Sequence, residues 1–145
     1  MTQLTQQKIF EKLENLKESL GYLRRLQQEA GSQEEFIADF HVFGNTERYL
    51  QLSVQSIINI AYLVIIDLDL RRPDDNYEAV SMLHENHVVS ESLANKLTKM
   101  VGLRNILVHE YGKIDRKKVY EVLTMQLGDI EEFQRQILSY LKKSG

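Results

Sequence analysis

The chain has 145 residues, enough for a single domain to bury a core without disulfide or metal staples. Hydrophobic residues make up 43% and charged residues 27%, a globular balance that excludes a disordered chain or a fibrous repeat. The formal net charge is −3. A dedicated duplex-DNA binder usually carries a basic surplus, so any contact with nucleic acid must rest on a local patch.

There are no cysteines, which removes disulfides, thiolate nucleophiles and Cys-based zinc sites and suits a reducing cytoplasm. Met1 to Phe10 is mostly polar and lacks the apolar region of a secretory signal. The longest apolar stretch, Ile57 to Ile66, is interrupted by Asn59 and too short to span a bilayer, so it reads as a buried helix with no membrane role.

In chain order, Ile9, Leu13, Leu16, Leu20, Leu23 and Leu26 recur at three- and four-residue steps and predict a first amphipathic helix. Gly31 interrupts, and Ser32 with Glu35 forms a capping box that opens a short helix through Phe36 and Phe40. Gly44, Asn45 and Thr46 mark either a new start or a bend within one long helix. From Thr46 to about Leu70 the chain reads as a helix whose middle is apolar nearly all round. Such a helix is either central to a bundle or part of an oligomer interface. Arg71, Arg72 and Pro73 end it.

A short helix from Asn76 to Glu85 follows, with Val80 and Leu83 inward. Ser90 starts another that carries Leu93, Leu97, Met100, Leu103 and Leu107 and runs out near Gly112. Asp115 caps the last, striped by Val119, Val122, Leu123, Leu127, Ile130, Phe133, Ile137 and Leu141. The expected architecture is one all-α domain over residues 1–145, a bundle of about five helices with short connections.

One segment differs in character. Leu103-Arg104-Asn105-Ile106-Leu107-Val108-His109-Glu110-Tyr111 concentrates polar chemistry near the end of an otherwise apolar helix. At about 100° per residue, Asn105 and His109 project within about 40° of each other, and Arg104 and Tyr111 share a direction. Leu103, Ile106 and Leu107 are then the buried face. Arg104 and His109 diverge by about 140°, which favours two copies meeting across a two-fold axis over one copy acting alone.

These residue types suit RNA cleavage by the 2′-hydroxyl. A histidine titrates near neutral pH and moves the proton, a guanidinium stabilises charge on the phosphoryl oxygens, and an asparagine orients substrate. No carboxylate cluster suited to Mg²⁺ is apparent. The same Arg and His equally serve to satisfy helix-end carbonyls and the helix dipole. Lys113, Arg116, Lys117 and Lys118 follow at once, as an RNA-capturing patch or as the solvated start of a helix. His84 and His87, three apart, lack a third metal ligand in view. Asp67 and Asp69 read as the exit of the buried helix, with Asp39 or Asp67 as further candidates near the cleft.

Arg104, four residues, His109, one residue and Tyr111 resemble the signature of HEPN-domain proteins of the HepT type, the toxin half of bacterial or archaeal toxin–antitoxin pairs. The resemblance extends through Gly112 to Asp115, upstream over Glu47 to Gln51 and Ile57 to Ala61, and over Tyr77 to Val89. It implies an all-α homodimer with the two signatures facing one another across the interface. It implies a metal-independent endoribonuclease with Arg104 and His109 catalytic and Asn105 supporting. The implied partner is a minimal nucleotidyltransferase antitoxin that uses ATP to attach AMP to Tyr111, so this chain needs no cofactor of its own. A second function class is a non-catalytic module in which the same helices hold a nucleotide or bind a nucleotidyltransferase.

Overall fold

The protein is described by a computed structural model covering residues 3–109 and 115–144, without the side chains of residues 108, 109 and 144. Among the described residues there are seven helices and no strand, where about five helices are expected.

Helix α1 (Gln3–Glu29) buries Ile9, Leu13, Leu16, Leu20, Leu23 and Leu26, the stripe that the spacing predicts. Two residues past its end stands Gly31, whose φ of +65° glycine adopts without strain. Ser32 then opens α2 (Gln33–Ala38) with a reciprocal capping box, its Oγ accepting from the Glu35 amide while the Glu35 carboxylate accepts from its own. Phe36, the one buried side chain of α2, packs edge-on against Phe43 and tilted against Tyr120.

Helix α3 (Phe40–Asp67) begins six residues before Thr46. Asp39 ends α2 and caps α3, accepting from the amides of His41 and Val42 at 3.1 and 3.2 Å. That cap outweighs the turn chemistry of Gly44-Asn45-Thr46. Thr46 is fully buried and donates its hydroxyl to the Val42 carbonyl at 2.7 Å, so its polar atom is satisfied inside the helix. By length and composition α3 is apolar enough to cross a bilayer. Here it is the central helix, in contact with α1, α2, α4 (Asn76–Glu85), α5 (Glu91–His109) and α6 (Arg116–Met125).

Asp75 caps α4, which buries Ala79, Val80, Met82 and Leu83. The Ser90 hydroxyl accepts from the Leu93 amide at the start of α5, and the Asp115 carboxylate accepts from the Lys117 amide at the start of α6. The expected final helix is in fact two, α6 and α7 (Leu127–Ser144), parted at Gln126. Gln27 of α1 explains the break: its amide donates to the carbonyls of Leu123 and Thr124 at 3.0 and 3.3 Å, partnering two groups that a helix end leaves open. The apolar stripe from Val119 to Leu141 stays buried across the bend.

Candidate active site

The inward side of α5 is set by Leu93, Leu97, Met100, Leu103 and Leu107, all at or below 7% exposure. Arg104, four residues after Met100 and seven after Leu97, stands in this line near the end of the helix and is half-buried. Its Nη2 donates to Gln55 Oε1 of α3 at 2.7 Å, and Gln55 Nε2 donates in turn to Asn59 Oδ1 at 2.9 Å. The Arg104 Nε lies out of reach of water with no acceptor. A buried donor of that kind costs about 1–3 kcal/mol, so the guanidinium is short of oxygen partners.

Asn105 stands about 100° further round the helix and meets a different neighbour. Its amide donates to the Tyr77 hydroxyl of α4 at 3.2 Å. Ile106, expected on the buried face, is 38% exposed, because the core line runs through Arg104 and leaves the side of Asn105 and Ile106 outward. The polar pair therefore straddles the helix, Arg104 toward α3 and Asn105 toward α4. Helix α5 continues to His109. The His109 side chain, Tyr111 and Lys113 lie outside the described residues, so the expected pairing of Asn105 with His109 and of Arg104 with Tyr111 does too.

Of the basic patch, Arg116 is exposed but tied back onto the fold. Its guanidinium sits 4.4 Å over the Phe43 ring, and its Nη1 donates to the Ile37 carbonyl at 2.8 Å. Lys117 and Lys118 are exposed, the latter 3.6 Å from the Glu121 carboxylate. On α3, Glu47 is half-buried, and its Oε2 is enclosed without a hydrogen-bond partner. Burial pushes its carboxyl above the usual range, and Arg116 draws it part of the way back.

Asp39 serves as the α3 cap, and the Asp67 carboxylate accepts from the Tyr140 hydroxyl of α7 at 2.5 Å. Asp67 lies about 18 Å along α3 from Gln55 at the helical rise, so neither aspartate belongs to the Arg104 cluster. His84 and His87 line a cleft with Ser90, Gln136 and Lys143 at the other end of α5. No group of three metal-ligating side chains forms among the described residues.

Gln55, Tyr77 and Glu47 are residues to which the sequence reading gave no role, Glu47 and Tyr77 having been named only as bounds of the resemblance. Gln55 and Tyr77 stand 49 and 28 residues from the side chains they hold, so no local spacing signals them. The Gln55–Asn59 pair opens onto a cleft of about 360 Å³ between α1 and α3, lined also by Tyr22, Tyr49 and Leu52.

Known proteins share this fold. The chain is 32% identical over 111 residues to the mRNA nuclease HepT of Shewanella oneidensis, covering 77% of this chain and 84% of that one. It is 32% identical over 130 residues to the tRNA nuclease HepT of Aphanizomenon flos-aquae, covering 90% of this chain and 87% of that one. The fold superposes with a TM-score of 0.83 and 26% identity on the tri-AMPylated HEPN toxin of Shewanella oneidensis, solved in complex with its MNT antitoxin, over 96% of this chain and 99% of that one. The family described as Ribonuclease HepT-like matches residues 16–137, and with that span, the helical architecture and these relatives, the chain belongs to the HepT-like ribonuclease family.

Proposed function

We propose that this chain is the ribonuclease toxin of a toxin–antitoxin pair, an endoribonuclease that cleaves RNA without a metal ion through Arg104, Asn105 and His109. The observation that carries this is Arg104 itself: a half-buried guanidinium, anchored on one edge by Gln55 and lacking an acceptor at Nε, in the stretch that resembles the HepT-type signature. A guanidinium held so gains by meeting anionic phosphoryl oxygens.

In the reaction, the 2′-oxygen of the RNA forms a bond to phosphorus while the bond from phosphorus to the 5′-oxygen breaks. The proton of the 2′-hydroxyl passes to one His109, and the leaving 5′-oxygen takes a proton from another. Arg104 stabilises the charge on the non-bridging oxygens, and Asn105, steadied by Tyr77, positions the substrate.

Two copies supply the two histidines in this reading. It is supported by the cleft beside Gln55 and Asn59, which continues into an outward strip of α3 where Leu52 is 40% and Ile66 64% exposed. The antitoxin is a minimal nucleotidyltransferase that transfers AMP from ATP to Tyr111, as the tri-AMPylated relative suggests. The added bulk and negative charge would oppose RNA near Arg104. Lys113, Lys117 and Lys118 contribute to RNA capture, whereas Arg116 already has partners within the fold.

The test is cleavage of cellular RNA in excess EDTA by protein shown by intact mass to be unmodified, with folded His109→Ala alongside. Cleavage by the wild type alone is expected. Equal cleavage by both proteins would remove His109 from the mechanism. Cleavage by neither would move the chain to the non-catalytic class.

A further inference from the structure

The outward side of α5 carries a groove of about 770 Å³, of which the catalytic reading uses only the Asn105–Tyr77 edge. Tyr77 of α4 forms one wall, Lys99, Gly102, Asn105 and Ile106 come from α5, and Lys118 reaches in from α6. We propose that this groove is a nucleobase subsite for single-stranded RNA, with Tyr77 as the stacking surface and Lys99 and Lys118 as contacts to the flanking phosphates. The assignment rests on the ribonuclease reading and specifies where that enzyme holds its substrate.

Four features support it. First, the groove's described lining contains two lysines and no aspartate or glutamate, so its charge complements a phosphodiester chain. Second, Tyr77 and Ile106, 39% and 38% exposed, offer aromatic and apolar surface of the kind on which unstacked bases settle.

Third, Gly102 leaves the floor open: a Cβ there would approach only the Tyr77 hydroxyl, at 3.6 Å, so the space above it is free for a ligand. Fourth, the Tyr77 hydroxyl accepts from Asn105, which ties the groove to the signature. His109 ends α5 seven residues after Gly102, about two turns further along the same side of the helix axis. A base in the groove would thus lead its neighbouring phosphate toward the catalytic end of α5. A duplex cannot offer a base to such a groove, which makes unpaired RNA the fitting class.

The experiment is fluorescence anisotropy with a short fluorescein-labelled single-stranded RNA, in a His109→Ala background that prevents cleavage. Gly102→Leu fills the groove with a residue that favours helix, and it is expected to weaken binding at least about tenfold with the melting temperature maintained. Tyr77→Ala is expected to weaken binding by about 5- to 150-fold, the range for losing one stacked base. The Lys99→Glu/Lys118→Glu pair is expected to weaken binding and to flatten the slope of log K against log salt by about 1.4.

Folded Gly102→Leu and Lys99→Glu/Lys118→Glu proteins that bind RNA like their parent would overturn the subsite. Loss of nucleotidyltransferase binding in these variants with unchanged RNA binding would also overturn it and make the groove a protein-docking surface. These results differ from failure of the enzyme reading, in which unmodified wild-type protein neither binds nor cleaves RNA.

Discussion

Arg104 and Asn105 are adjacent in the chain and about 100° apart around one helix, each held by a residue from a different neighbour. Gln55 restrains the guanidinium from α3, and Tyr77 restrains the amide from α4. Restraint by such distant partners is what the proposed catalytic roles of these two side chains require. Glu47 adds an electrostatic feature on the α3 side. Its carboxyl is raised from the ordinary 4.5 because burial disfavours its charged form. The folded state therefore holds the proton to higher pH than the unfolded chain, and stability falls as pH rises from the ordinary carboxylate range through the raised value. Glu47→Gln should melt higher than the parent at pH 8, with the difference shrinking toward pH 4, in parallel thermal scans. A lower melting temperature at pH 8 that recovers toward pH 4 would mean that attraction to Arg116 outweighs the burial.

At the level of elements, two junctions decide the helix count, and both rest on single polar side chains. Asp39 closes α2 and opens α3 in one residue. Removing it as Asp39→Ala leaves the amides of His41 and Val42 without their acceptor, a loss of about 1 kcal/mol in chemical denaturation. No change would show that packing of Phe36 against Phe43 sets the corner by itself. At the second junction, Gln27 receives the carbonyl end of α6 and lets α7 begin after Gln126 without exposing the apolar stripe. Both bends keep large side chains on the core, Phe36 at one and Leu127 at the other.

On the scale of the whole molecule, α3 buries its inward residues among five other helices yet leaves Leu52 and Ile66 outward, beside the cleft that Gln55 and Asn59 line. A second copy seated there would cover this strip and bring two α5 ends together. Leu52→Glu should convert a dimer to a monomer in sedimentation analysis, with helical content kept and RNA cleavage lost. A wild-type protein that sediments as a monomer while cleaving RNA would sink the two-copy mechanism.

The sequence by itself determined the all-helical class, the apolar stripes of α1, α4 and α5, the caps at Ser32 and Asp115, and the Arg–His–Tyr signature that led to the family. These are local: helical periodicity and capping act over three or four residues and can be read from spacing. Only the tertiary structure decided that α3 starts at Phe40, that α6 and α7 part at Gln126, and that Ile106 faces out while Arg104 lies in the core line. Each of those outcomes depends on a contact between residues far apart in the chain or on which side of a helix its neighbours cover. Arg104 finds Gln55, Asn105 finds Tyr77, and Gln27 finds the end of α6 only once the bundle is packed.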